Sequence, residues 1–406
     1  MSAAASLSES QCAAFARVLD LLAERMAADE AALGDAFPYV TGPSGAWKTM
    51  PATRSAGYGP NGWDHGNWFC GFWIGLLLAA HVHSGDAALL GAARRRLDLI
   101  RPRAEDPNTH DIGFIFQSSA IPACHITGTR AYAELALRAA ERLRARAVRT
   151  KAGSYVAAWG PLDDPRGRAS SAIDTMANLP LLYWAAAETG DASFRDLGAA
   201  HARMTAGAFV RPDRSTYHAV EYDPESGVKR RGFTFQGAAD ESCWPRGQAL
   251  AIKVFAASAE ADADAGFFAL AEGLGRYFLA RLDAGLVPYW DFDDPAIPAA
   301  PRDSSAAAIA ASGFLDLARL SPDPARAAEW DARGLALLDA LVRDYLVTEE
   351  DHRGILKHGC YSKPQGEGVD SAVLFGDFYF IEALVKLLHP GRFAPERPRR
   401  SSGRVA

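Results

Sequence analysis

A chain of 406 residues, 49% hydrophobic and 23% charged, has the composition of a soluble globular protein with ample material for a core. A net charge of −6 and the lack of a basic tract within the fold argue against nucleic acid as a partner. Only 392–404 is rich in arginine and proline, and it reads as a solvated terminus. Five scattered cysteines without a CxxC pair offer no zinc motif, redox motif or disulfide framework, and are expected to be reduced, mostly buried thiols.

The N-terminus has no basic stretch followed by an uninterrupted apolar core, so it does not read as a signal peptide. The first element spans about 9–33, with Phe15, Val18, Leu19, Leu22 and Met26 at helical spacing. A long irregular stretch over 38–67, rich in glycine, proline and aromatics, is the kind of loop that is usually functional. The apolar run Phe69–Val82 ends at a polar HSGD and falls short of the roughly 20 residues a membrane span needs. No membrane association and a cytoplasmic location are therefore expected.

Helical runs then recur at 67–83, 86–101, 113–127, 129–147, 172–189, 191–207, 240–259, 261–282, 303–319, 325–346 and 375–388. HSGD (83–86), TGT (127–129) and ETGD (188–191) each supply a glycine to end one helix and a polar cap to start the next. Short connections make neighbouring helices antiparallel. Twelve helices in six hairpins can close into a toroid around a central funnel, whereas no fixed repeat supports an open solenoid. Only 215–235 breaks the rhythm: STYHAVEYD and FTFQG alternate around a turn, predicting a β-hairpin laid over the funnel. The expectation is all-α, one catalytic unit over 1–390 and a disordered tail over 391–406.

Two aspartates stand immediately ahead of apolar helical runs, Asp111 in HDIGF and Asp174 in IDTMANL. Aspartate in that position often caps the helix. Two carboxylates brought to one cavity would instead equip a sugar-cleaving enzyme. The residues alone leave both readings open. Trp63, Trp68, Trp73, Trp159, Trp244 and Trp290 fall mostly at loop–helix junctions, where flat aromatic faces can stack on sugar rings, though core packing is the alternative for each. His110, His218, Gln236 and Arg246 are further candidates. A buried arginine at 246 needs either an internal carboxylate or a ligand's carboxylate. No HExxH, GxSxG, paired His/Cys spacing or phosphate loop occurs, so no metal and no cofactor are expected.

Collinear stretches from about 38 to 388 resemble the unsaturated glucuronyl hydrolases of glycoside hydrolase family 88. They are WFCGFWIG (68–75), HDIGF (110–114), IDTMANLPLL (173–182) with its spacing from Trp159, DRSTYH (213–218), FTFQGAADESCWPRGQA (233–249), VPYWDFDDP (287–295), DSSAAAIAASG (303–313) and GVDSAVLFGDFYFIEAL (368–384). The resemblance implies an (α/α)6 barrel and removal of the Δ4,5-unsaturated uronic acid from lyase-generated oligosaccharides by hydration of the C4=C5 vinyl ether. Asp174 would be the proton donor to C4 and Asp111 the second carboxylate, holding sugar hydroxyls and tuning the acid. His218 and Gln236 would reach the double-bond or hydroxyl region, Arg246 would help hold the site, and Trp68 and Trp159 would flank the unsaturated ring. His110, Trp244 and Ser362 complete the expected substrate-binding set. Members that process sulfated fragments carry an arginine before the glutamine and a Ser-x-x-Ser-x-Lys signature. Here Phe235 and then Ser362, Gln365 and Glu367 stand at those places, implying a preference for unsulfated substrates. The expected state is monomer or homodimer. A rhamnogalacturonyl hydrolase and a non-catalytic sugar-binding barrel are the alternatives, the latter disfavoured because binding needs no proton donor.

Overall fold

The sequence's glycine and aspartate punctuation sets most helix boundaries in the computed structural model, which describes residues 7–53 and 66–395. Ser8 opens α1 (Glu9–Leu33) through a capping box with Gln11. After α2 (Cys70–Ser84), Gly85 turns at φ 75°, and Asp86 caps α3 (Ala87–Ile100) by accepting the Ala88 N–H at 2.8 Å. The same device, Gly190 at φ 77° and then Asp191, separates α8 (Leu179–Thr189) from α9 (Ala192–Ala208). Gly128 likewise ends α5 (Ala120–Thr127) before α6 (Arg130–Arg144), although Thr129 makes no side-chain cap there. The remaining helices are α4 (Ile112–Ser118), the short α7 (Pro165–Ala169), α10 (Pro245–Ala261), α11 (Ala265–Ala280), α12 (Ser304–Leu320), α13 (Pro324–Ala340) and α14 (Leu374–Leu388).

Six of these segments, α2, α4 with α5, α8, α10, α12 and α14, pack side by side, and α14 returns onto α2 to close the ring. Helices α3, α6, α9, α11, α13 and α1 lie against them. Composition sorts the two layers. In α10 and α12 nearly every residue is buried, so small residues dominate, whereas α6 buries only one stripe: Ala133, Leu135, Ala136, Ala139, Ala140 and Leu143. The architecture is the expected (α/α)6 barrel, and its core is continuous around the ring. Among the described residues no helix is long and apolar enough to cross a membrane. All five cysteines are unpaired; Cys70, Cys243 and Cys360 are buried, and Cys12 and Cys124 half-buried.

The structure differs from expectation at several points. The run 113–127 is broken at Ser119, where ψ is −73°. The Ser118 and Ser119 hydroxyls bond back to Phe114 O and Ile115 O at 2.6 and 2.5 Å, and Pro122 cannot share a helix with the carbonyl four residues before it. The run 172–189 begins as a 3-10 turn over Ile173–Asn178 and becomes α-helical only at α8, with Pro180 in its first turn. The run 240–259 becomes helical only at Pro245. The predicted hairpin is present as β6 (Ala219–Tyr222) and β7 (Lys229–Phe233), but a third strand, β5 (Ser170–Ala172), pairs antiparallel with β6. Three more two-stranded sheets had no counterpart in the reading: β1 (Phe37–Thr41) with β2 (Trp47–Met50), β3 (Ala147–Arg149) with β4 (Ser154–Val156), and β8 (Gly359–Ser362) with β9 (Glu367–Ser371). Most of these strands are too short to show a two-residue period. Phe393 is buried, so the packed chain continues past the boundary expected at 390, and 396–406 lie outside the described residues.

Candidate active site

The site is built where two distant chain segments are sewn together. The Asn178 side chain accepts the Phe114 N–H at 2.7 Å and donates to Asp174 O at 3.1 Å. Gln117 donates to Ala177 O at 2.7 Å, and His110 Nδ1 meets Thr175 Oγ1 at 2.6 Å. Gly113 is required for this approach, because a Cβ there would overlap Asn178. Gly247 does the same for the first turn of α10, which lies against Ile173 and Trp244.

Both aspartates consequently line one cavity. Neither side chain caps a helix. Asp111 occupies the position before α4 without a capping bond; its Oδ2 accepts from Thr109 Oγ1 at 2.8 Å, and its Oδ1 lies 3.2 Å from His110 Nε2. Asp174 keeps some surface open to the cavity, yet its Oδ1 is buried and has no hydrogen-bond partner among the described residues. Burial, and secondly the charge of Asp111, push the Asp174 carboxyl up to about 7, against the pull of Arg246 and nearby backbone N–H groups. A group with that titration holds its proton for much of the time near neutrality and can give it away there.

Trp68, His110, Trp159, Gln236, Trp244 and Arg246 share the cavity with the two carboxylates, as expected. Trp68 stacks on Phe375 with centroids 5.3 Å apart and donates to Tyr361 Oη at 3.3 Å. Trp159 stands edge-on to Phe235 at 5.4 Å. Arg246 resolves its two possibilities in favour of an internal carboxylate: it bonds Asp303 Oδ2 at 3.1 Å, Cys360 O at 2.6 Å and Tyr361 O at 2.5 Å. Its guanidinium also lies over the Trp244 ring at 4.2 Å.

His218 stands behind the lining, its ring packed on Phe235 at 4.2 Å and on Trp244 at 4.6 Å. Burial, then the charge of Arg246, lower its imidazolium titration to about 3, so the ring is neutral. Nδ1 faces Thr234 Oγ1 at 2.9 Å and the Phe235 N–H at 3.4 Å, and the buried Nε2 has no described partner.

Ser362 is not among the cavity-lining residues. It is buried at the end of β8, where its hydroxyl donates to Gln365 at 2.6 Å. Glu367 is likewise outside the lining, held by Lys48 at 2.9 Å and Tyr39 at 3.2 Å, so its charge is already countered. Trp73 is core, donating to Glu30 at 3.0 Å, and Trp290 belongs to a small satellite cluster with Ala300 and Cys360. Trp63 lies outside the described residues. Phe114, Tyr361, Phe375 and Tyr379 line the cavity without having been singled out, because aromatics inside apolar runs read as ordinary core. Among the described residues no three His, Cys, Asp or Glu side chains converge as a metal would require.

No protein-family model matches the chain. It is 36% identical over 361 residues to the unsaturated glucuronyl hydrolase of Bacillus sp. strain GL1, covering 87% of this chain and 91% of that one. It is 35% identical over 348 residues to the unsaturated chondroitin disaccharide hydrolase of Streptococcus pyogenes serotype M1, covering 83% and 84%. The crystal structure of the Bacillus sp. GL1 enzyme superposes with a TM-score of 0.86 at 33% identity, over 94% of this chain and 99% of that one. An unsaturated glucuronyl hydrolase specific for heparin superposes at 0.81 and 28% identity, over 92% and 96%. Sequence and ring architecture agree, and this chain belongs to the unsaturated glucuronyl hydrolases of glycoside hydrolase family 88.

Proposed function

We propose that the protein removes the Δ4,5-unsaturated uronic acid from the non-reducing end of lyase-generated oligosaccharides by hydrating the C4=C5 vinyl ether. The observation that carries this reading is Asp174: a carboxyl with a buried oxygen that has no partner among the described residues and a titration raised to about 7, beside Asp111 in a tryptophan-walled cavity. Its proton goes to C4, and the positive charge that develops at C5 is quenched by water. Asp174, now a carboxylate, takes the proton that this water loses. The C5 hemiketal then opens and releases the remaining saccharide. Asp111 orients sugar hydroxyls and keeps Asp174 protonated by like-charge repulsion. Trp68 and Trp159 offer apolar faces to the unsaturated ring, with Gln236 and His110 as polar contacts, while His218 backs Phe235 and Trp244 from behind the lining. Because the reaction is not at the anomeric carbon, carboxylate separation does not sort it into retaining or inverting classes.

Phe235 at the cavity lining supports a preference for unsulfated substrates, since an apolar ring compensates a sulfate poorly. Ring closure by α14 on α2 supports a single catalytic unit, and five unpaired cysteines suit a reducing, cytoplasmic setting. The test is incubation with an unsulfated unsaturated disaccharide while following the ultraviolet absorbance of the conjugated double bond. Loss of absorbance with release of the second sugar is expected. Binding without loss of absorbance would leave a sugar-binding barrel, and activity confined to a rhamnose-linked substrate would assign a rhamnogalacturonyl hydrolase.

A further inference from the structure

Behind the wall that carries His110 and Asp111 lies an arginine the chemistry above does not use. Arg146 follows α6 and is almost wholly enclosed, at 1% exposure. Its donors all go to backbone carbonyls: Nε to Ala157 O at 2.8 Å, Nη2 to Gly160 O at 3.1 Å, and Nη1 to Pro107 O. It forms no ion pair with any described carboxylate. A buried charge without a counter-charge is costly and is seldom kept without a role. Three carbonyls satisfy its hydrogen bonds but leave its positive charge uncancelled, and it remains a cation at neutral pH although burial lowers it to about 10.

What those carbonyls belong to gives the role. Residues 107–110 run antiparallel to 157–160: Gly160 N–H bonds Asn108 O at 2.8 Å, Thr109 bridges Trp159, and His110 N–H bonds Ala158 O at 2.8 Å. One strand of this ladder ends in His110 and Asp111, and the other carries Trp159. Arg146 is the fork that clips them together, and the carboxylates whose fields it feels are Asp106 and Asp111.

We propose that Arg146 is a positioning residue for the reaction: its guanidinium fixes the Asp111 segment against the Trp159 segment, and its charge favours the ionised form of Asp111 opposite a protonated Asp174. This division of states is the one the hydration chemistry needs, so the kinetic part of the inference rests on the proposed function. Other charges reach the same place. His110 touches Asp111, Asp174 faces it across the cavity, Arg246 acts on Asp174, Arg103 pairs with Asp106 at 3.3 Å, and neutral His201 lies near His110. Arg146 differs from all of them in being enclosed, charged at neutral pH and unpaired by any described carboxylate.

The experiment compares full-length wild type, Arg146→Lys and Arg146→Met, each checked for folding by near-ultraviolet circular dichroism. Two readouts are taken: the pH profile of kcat and kcat/KM on an unsulfated unsaturated disaccharide, and the titration of Asp111 by carboxyl carbon NMR, its resonance assigned by its loss in Asp111→Asn. Arg146→Met should move the Asp111 midpoint, and with it the acid limb of the profile, upward by about one pH unit, because a stabilising positive charge has gone. Arg146→Lys should keep the wild-type midpoint while lowering kcat about fivefold or more, because charge is retained and the three-way fork is lost. Equal midpoints in all three proteins, or equal shifts in Lys and Met, would overturn the proposal. If Arg146→Met does not fold, Arg146→Lys decides: a shifted midpoint, or an unchanged midpoint with unchanged kcat, defeats the inference. A wild type that leaves the disaccharide intact refutes the functional reading instead, and the NMR titration then judges Arg146 alone.

Discussion

Two carboxylic acids in this molecule share a titration raised by burial and differ in what surrounds them. Asp377, on α14, is fully enclosed, and burial raises it to about 7, as it does Asp174. Yet Asp377 has both oxygens occupied, by the Leu356 and Ile355 N–H groups at 2.9 and 3.0 Å, and does not line the cavity. Asp174 has an oxygen with no described partner, a second carboxylate beside it and an opening into the cavity. A raised pKa therefore marks burial, and burial serves structure as readily as chemistry. The unfilled hydrogen-bonding capacity separates the two.

Substitution should break the resemblance most sharply. Asp174→Asn is expected to lower turnover of the unsaturated disaccharide by at least ~10²–10⁴-fold, the usual worth of a positioned general acid, while retention of more than about a tenth of the wild-type rate would show that the acid is elsewhere. Asp111→Asn should also be strongly impaired, with a signature of its own. Wild-type activity should decline as pH rises through about 7, where Asp174 loses its proton. Without the like charge of Asp111, that decline should move to lower pH. A profile superimposable on wild type would remove Asp111 from the pair.

Stability should distinguish the two acids in the opposite direction. The native state holds the Asp174 proton more tightly than the unfolded chain, whose value is near 3.8, so stability is lost as pH rises from there through about 7. Thermal melts of Asp174→Asn should therefore lie above wild type at alkaline pH and coincide with it in acid. Asp377→Ala should instead melt lower in acid, where its carboxyl is protonated, because it strands two buried N–H groups at roughly 1–3 kcal/mol each. Equal melting changes for the two variants would erase the distinction drawn here. The smallest effect concerns a third carboxylate, Glu367, which is already paired with Lys48 at 2.9 Å. Replacing it by lysine should alter the ratio of kcat/KM between sulfated and unsulfated disaccharides by less than about twofold, because exposed pairs are worth little. A larger change would put Glu367 back at the binding surface.

What could be read from the sequence was local chemistry. HSGD and ETGD announce helix ends because a left-handed glycine and an aspartate cap act within a few residues. The ring could be inferred because six such hairpins leave little choice. The alternatives at Asp111 and Asp174 could not be closed that way, since capping and catalysis ask for the same residue in the same place; only the stitching by Asn178, Gln117 and His110 decides it. Arg246 was visible as a buried cation, but its partner Asp303 is 57 residues away. Ser362 and Glu367 show the converse, since a position matched along the chain need not reach the cavity.

The closure of the ring has a consequence for the order in which the protein becomes competent. Trp68 completes its wall by bonding to Tyr361, 293 positions later, and by stacking on Phe375 of the last hairpin. A ribosome that has already delivered Asp111, Asp174 and Arg246 has yet to supply these partners. Until α14 docks, the apolar flanks of α2 and α12 have no cover and invite association with other chains. Competence should arrive late and all at once, and loss of the final helix should cost solubility as well as activity.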